Sequence, residues 1–265
     1  MKIIKVLENI QKAYQRGFIY TFSFIFWRLK LKLFKSFKFK NVRSRYDVKF
    51  VSDFDDSTFR LYFLGNYGFF YSNFLKSYDS NFIFIDVGAN KGLYSIIAAK
   101  NPNCEKVISF EPILETYEYL KQNCSLNNIF HKCQLHNLAI SDACEVKIIP
   151  FNKYHSGGAS IALEAESEKS NLVSIHTVDK SIFSDISIEN HKNYILKVDV
   201  EGFEFTVLEE VFKCEFSHAI TNIFYEVDEK WVNPSLIEKL LSENGFKNFK
   251  KYGMSEIHYD VMASK

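Results

Sequence analysis

Phe82-Ile-Phe-Ile-Asp-Val-Gly-Ala-Asn-Lys-Gly-Leu-Tyr-Ser95 is the stretch that decides the fold of this 265-residue chain. It reads as a short apolar strand closed by an acid, a tight turn of small residues, and the opening of a helix. That order sets the carboxyl end of a buried parallel strand beside the free N–H groups of a helix N-terminus, where nucleotide-like ligands bind. Glu111 stands nineteen positions beyond Gly92, at the end of a second apolar run, Val107–Phe110. An acid at about that spacing can hydrogen-bond both hydroxyls of a ribose.

The glycine spacing narrows the ligand. A dinucleotide fold uses Gly-x-Gly-x-x-Gly so that its backbone can approach a pyrophosphate. Here the series is Asp86-x-Gly88-x-Asn90-x-Gly92. Asn tolerates left-handed backbone angles, so the turn survives, but its side chain fills the space a pyrophosphate would need. S-adenosylmethionine, which carries a carboxylate and an amine in place of phosphates, suits this turn. The glycines alone also fit a plain strand–turn–helix connection in another α/β protein; Glu111 weighs against that.

Four segments carry a resemblance. Asp86–Ser95, Phe110-Glu-Pro112, Asn137-Leu-Ala-Ile-Ser141 and Lys197-Val-Asp-Val-Glu-Gly-Phe-Glu204 resemble, in order, the motifs of the FkbM family of S-adenosylmethionine-dependent methyltransferases. The resemblance spans about residues 80–263 and leaves the first 45 or so unexplained. It implies an α/β class I methyltransferase (Rossmann-like) fold, with helices on both faces of a seven-stranded, mostly parallel sheet whose last strand is antiparallel. It also implies, most often, O-methylation of hydroxyls on sugars or other secondary metabolites.

Length and composition suit one α/β domain, residues 46–265, behind a basic and aromatic extension, residues 1–45. Five scattered cysteines without a Cys-x-x-Cys pair, and no secretory signal, point to reduced thiols and a cytoplasmic location. The seven histidines lack zinc-like spacing, so no metal is expected. The net charge of +1 hides an asymmetry: residues 9–46 hold ten Lys or Arg and no acid, leaving 1 − 10 = −9 for the remainder. Phe18–Trp27 is apolar but far short of the ~20 residues that cross a bilayer. The extension can lie on an anionic membrane at the inner face, bind nucleic acid, or pack on the domain with its lysines in water. No nucleic-acid partner is expected, because the cofactor domain is acidic.

Along the chain, a strand near Val48–Val51 and a helix near Tyr67–Lys76 lead in. The alternation proper follows: strand Phe82–Val87, helix Gly92–Lys100, strand Lys106–Phe110, helix Pro112–Leu126 and strand Gln134–Ile140. Strands Glu145–Phe151 and Leu172–Val178 flank an inserted polar stretch, read as a mobile loop near substrate. Then come strand Tyr194–Val200, helix Phe203–Phe212, strand Ala219–Val227, helix Pro234–Asn244 and strands Lys247–Tyr252 and Ile257–Ala263.

Ligands of open parallel sheets sit beyond the carboxyl ends of the strands. The cofactor set expected there is Asp86, Gly88, Ala89, Asn90, Gly92, Ser95, Glu111, Pro112, Ala139, Ile140 and Asp142. Glu111 takes the ribose, Gly88–Gly92 face the methionine portion, and Ala139 and Ile140 lie on the adenine, with Asp142 accepting its amine. Asp86 meets the cofactor's amine or caps the helix. Lys197, Asp199 and Glu201 recur at spacing two on one strand face, where ionisable groups are costly unless paired or used. With Glu204 they form the catalytic set: a carboxylate or a neutral, desolvated Lys197 removes the acceptor's proton, unless Lys197 is only a structural ion pair. His155 is a further base candidate, and Glu226 can fix substrate hydroxyls. A nicotinamide dehydrogenase, a nucleic-acid methyltransferase and a membrane-surface protein with a vestigial site are the rival readings.

Overall fold

The computed structural model describes residues 18–159, 171–185, 193–253 and 255–265. The chain begins with helix α1 (Phe18–Ser36), a hairpin of β1 (Asn41–Arg43) and β2 (Lys49–Val51), and helices α2 (Ser57–Leu64) and α3 (Phe69–Ser77). Then follow β3 (Phe82–Val87), α4 (Leu93–Lys100), β4 (Cys104–Phe110), α5 (Leu114–Leu126), β5 (Cys133–His136), β6 (Ala139–Ile140), β7 (Val146–Phe151) and β8 (Asn171–Val178). The last part holds β9 (Asn193–Val198), α6 (Glu204–Phe212), β10 (Ile220–Asp228), α7 (Pro234–Glu243), β11 (Asn248–Tyr252) and β12 (His258–Ser264).

The main sheet has seven strands in the order β11-β12-β10-β9-β3-β4-β5. All neighbours from β10 to β5 run parallel, and β12 lies antiparallel between β10 and β11. This is the expected class I methyltransferase architecture. The order reverses between β3 and β9, so connections leave in opposite directions there and open a crevice.

Why β3 sits in the middle follows from its six buried residues. Phe82 and Phe84 pack on one face with α2–α5, whereas Ile83, Ile85 and Val87 pack on the other with α6 and α7. A strand apolar on both faces is stable only with helices above and below. Each such side chain taken from water contributes about 1.5–3 kcal/mol. α4 is buried from Leu93 to Ala99, consistent with a helix wedged between the sheet and the N-terminal layer.

That layer was only partly expected. β2 and α3 lie close to their expected positions, but α2 was not anticipated. Its signals are present in the sequence. Asp56 caps the first turn by accepting from the N–H groups of Thr58 and Phe59, and Gly65 ends the helix at φ +71°. Trp27, Leu31 and Phe34 of α1 pack against this layer. Among the described residues, no helix is long and apolar enough to cross a membrane.

Among the boundaries that differ from the expectations, three bear on the site. α5 begins at Leu114 rather than Pro112, because Ile113 is extended (ψ 112°), with its N–H held by the Glu111 carboxylate at 3.0 Å. The strand expected over Gln134–Ile140 is two strands: β5 stays in the main sheet, while β6 leaves it to pair with β8. With β7 they form a separate three-stranded sheet from the inserted segment. β9 stops at Val198, since Asp199 to Phe203 form a loop in which Glu201 has φ +55°.

Candidate functional site

A cleft opens at the carboxyl ends of β3, β4 and β9, lined by the glycine turn, Glu111, Asp199 and Ser156. The glycine turn makes its floor. Gly88 is demanded by a close approach: a β-carbon there would lie 1.9 Å from the carbonyl oxygen of Asp199. Asn90, at φ +49°, directs its N–H to Glu111 Oε2, 2.9 Å, while the Ile113 N–H donates to Oε1. Each carboxylate oxygen therefore holds one backbone donor and keeps lone-pair capacity for a ligand. Burial pushes the Glu111 carboxyl up to about 7, against the pull of those two N–H groups. Phe110, Leu138, Ile140 and Ile149 give the adjoining wall an apolar surface.

The opposite wall is charged. Lys197 is buried, with Nζ 2.6 Å from the Gly88 carbonyl, 3.3 Å from Asp86 Oδ1 and 3.4 Å from Asp199 Oδ2. Burial disfavours its charge, but Asp199 and Asp86 outweigh that and hold the ammonium above its ordinary pKa. Tyr67, from the loop before α3, donates its hydroxyl to Asp199 Oδ2, 3.0 Å. Carboxylate oxygens of Asp199, Glu201 and Glu226 lie within 4.8 Å of one another, and Asp260 faces Glu226 across the β10–β12 pair. Burial, then repulsion from Asp199, pushes Glu201 up to about 8, Glu226 to about 10 and Asp260 to about 7. Such a group can share protons or hold one cation, an option that the histidine and cysteine spacing did not signal.

The roof comes from the inserted segment. Asp56 Oδ1 accepts the Ser156 N–H at 3.0 Å, and Oδ2 accepts the Ser156 hydroxyl at 2.8 Å. Thr58 Oγ1 accepts the Gly157 N–H, 3.0 Å, and the Ser57 N–H donates to the Tyr154 carbonyl, 2.9 Å. Beneath them the buried Lys91 ammonium bridges Asp56 and Asp53, 2.5 and 2.6 Å. Lys91 thus ties the glycine turn to the N-terminus of α2, which carries the roof. The attraction of Lys91 and the Ser156 donors hold Asp56 below its ordinary pKa despite desolvation, the largest single influence.

Gly88, Asn90, Glu111, Pro112, Ala139 and Ile140 of the expected cofactor set line the cleft, as do Asp199 and Glu201 of the catalytic set. Several others do not. Asp86 is fully buried, accepting from Ser95 Oγ at 2.5 Å and pairing with Lys197, because it shares the face of Phe82 and Phe84 that packs on α4. Ser95 is buried with it, also touching Ser109 Oγ at 2.9 Å. Ala89 joins the same core. Gly92 serves packing: a β-carbon there would lie 2.5 Å from Leu120 Cδ1. Asp142 is exposed and turned to Ser141 Oγ. Lys197 is a buried cation between carboxylates, which removes the neutral-base reading. Glu204 is also corrected: its carboxylate accepts the N–H groups of Val200 and Gly202 at 3.1 Å and caps the loop. His155 is exposed beside Thr58 Oγ1 at 3.3 Å. Tyr67, Asp56, Lys91 and Ser156 were missed as site residues, the first two lying upstream of every motif read.

The profile of the methyltransferase FkbM domain matches residues 86–247. This chain belongs to the FkbM methyltransferase family. The FkbM chain is similar to methyltransferase sdnD of Sordaria araneosa, 25% identical over 194 residues that cover 63% of this chain and 74% of that one. Among solved structures it is similar to the FkbM methyltransferase of Methylobacillus flagellatus (14% identity, 69% of this chain and 43% of that chain, TM-score 0.46). A second similar structure is M. jannaschii TYW2 in complex with AdoMet (12% identity, 85% of each chain, TM-score 0.47).

The protein is therefore an S-adenosylmethionine-dependent methyltransferase. Its cleft fits that cofactor on its own evidence: a carboxylate with spare lone pairs, an apolar wall of Phe110, Leu138, Ile140 and Ile149, and a turn in which Asn90 stands where a dinucleotide fold has its middle glycine.

Proposed function

We propose that this FkbM methyltransferase methylates a hydroxyl of a small acceptor, a sugar or glycoconjugate precursor. The carrying observation is Glu201, which lines the cofactor cleft beside Asp199 with its carboxyl raised to about 8. A general base works best when its pKa lies near the operating pH. Glu201 is assigned as the base, and Asp199, held by Tyr67 and Lys197, as the group that orients the acceptor. Glu226, which borders the same cluster, accepts from neighbouring acceptor hydroxyls.

When bound, the cofactor supplies an electrophilic methyl group on a sulfonium. Glu111 is assigned to the ribose, Gly88 and Asn90 to the methionine portion, and Pro112, Ala139 and Ile140 to the adenine. The protein's remaining task is alignment of the acceptor oxygen and acceptance of its proton by Glu201. A cytoplasmic location, with peripheral contact of residues 9–46 on an anionic membrane, completes the proposal. The basic excess of that segment supports it, although residues 9–17 lie outside the described residues. Acceptor selection is assigned to residues 152–170, of which 160–170 also lie outside them.

Incubation with labelled S-adenosylmethionine and a panel of nucleotide sugars tests the reading by a mass gain of one methyl group. Glu201→Gln is expected to lower turnover roughly 10²–10⁴-fold with cofactor affinity unchanged. Methylation at the wild-type rate by that variant, or a panel with no methylated sugar, contradicts it.

A further inference from the structure

We infer that the solvent-facing stripe of α1 docks on an anionic lipid surface with the helix axis lying in the membrane plane. The inference rests on the peripheral contact proposed for residues 9–46 and is independent of methyl transfer. α1 carries two apolar stripes. Trp27, Leu31 and Phe34, at helical spacing, face the protein, with Trp27 and Phe34 ring centroids 5.3 and 6.0 Å from that of Phe63 on α2. At about 100° per residue, Ile25, Leu29 and Leu33 fall on the opposite side with Phe26 beside them. Leu29 is 61% exposed, and Phe37, just past the helix end, is 70% exposed. Large apolar side chains gathered on an outer face mark an interaction surface.

The charges choose the occupant. From Arg28 to Arg43 stand seven Lys or Arg and no acid. On the helix they border the outer stripe: Lys30 along one edge, 4.3 Å over the Trp27 ring, and the exposed Lys32 along the other with the half-buried Arg28 and with Lys35, which also pairs with Asp55 at 2.7 Å. Apolar side chains flanked by cations match a bilayer interface, where the former enter the acyl boundary and the latter meet headgroup phosphates. A second copy laid face to face would set like charges against each other. A nucleic acid would engage the cations and leave Leu29 and Leu33 in water.

The full chain is sedimented with phosphatidylcholine vesicles and with vesicles containing about one-third phosphatidylglycerol. Binding to the anionic vesicles alone, weakened by salt, is expected. Leu29→Glu combined with Leu33→Glu is expected to lower the bound fraction at least about tenfold, with the thermal midpoint and the calorimetric affinity for S-adenosylmethionine unchanged. Equal binding by this double variant overturns the assigned face while leaving the peripheral contact standing. No binding by the wild-type chain overturns both. A wild-type dimer in equilibrium centrifugation that the double variant dissociates gives the stripe to a second copy and also overturns the inference.

Discussion

The floor and the roof of the same cleft are held in different ways. At the floor, the carboxyl ends of β3, β4 and β9 are fixed by continuous parallel ladders, and Glu111 is held by backbone N–H groups of Asn90 and Ile113, 21 and 2 positions away. At the roof, Ser156 and Gly157 reach across 100 and 99 positions to Asp56 and Thr58. That junction rests on one buried cation, Lys91. A ladder spreads a lost side chain over many bonds, whereas an ion network fails at its centre. The floor should therefore tolerate substitution better than the roof.

The sharpest way to break this contrast is Lys91→Met. Removing one partner of a buried ion pair leaves Asp53 and Asp56 uncompensated, for which about 3–5 kcal/mol of destabilisation is expected. Urea unfolding followed by circular dichroism measures it; a loss under about 1 kcal/mol would put roof and floor on the same footing.

Acidity supplies the next test, because the charged wall holds carboxyls raised above their ordinary range. Glu201 stands at about 8, Asp260 at about 7, and Glu111 and Glu204 each at about 7. Unfolded, these groups ionise near pH 4–4.5, so between there and pH 8 the folded chain binds more protons than the unfolded one. Stability of the ligand-free protein must then fall as pH rises through that window. A loss of about 2 kcal/mol from pH 6 to 8.5, lowering the thermal midpoint by roughly 4–8 °C in calorimetry, is expected. A midpoint that climbs over the same range would refute the crowding of these acids.

Ser156→Ala has the smallest expected effect. It removes the hydroxyl bond to Asp56 but leaves the backbone one, so about 1 kcal/mol of stability is lost and amide exchange quickens at Tyr154–Gly157 with the β3 amides unchanged. Equal acceleration in β3 would show the two regions to be a single cooperative unit.

The same division explains what could be read from the sequence. Residues 82–95 and Glu111 were legible because a buried strand, a turn needing positive φ and a carboxylate are local signals. The seven-stranded order rested on resemblance, since alternation of strands and helices fixes parallel pairing but not which strand is central. Asp86 misled because position after an apolar run shows that a residue is near the strand end, not which face it takes. Its parity with Phe82 and Phe84 was the available clue. The spacing of Lys197, Asp199 and Glu201 correctly put Lys197 next to Asp199, but could not foresee the left-handed Glu201 that ends the regular strand. Tyr67, Asp56 and Ser156 had no signal as site residues, because their meaning comes from partners about 100 or more positions away.

The central claim is that Glu111, braced by Asn90 and Ile113, grips the cofactor's ribose from the cleft floor. Titration calorimetry of S-adenosylmethionine into wild-type protein and Glu111→Ala tests it most directly, with thermal midpoints recorded to confirm folding. One bound equivalent for the wild type and an affinity roughly 10–100-fold weaker for the folded variant are predicted, the loss of hydrogen bonds to a charged acceptor. Equal affinities in two folded proteins would contradict the account.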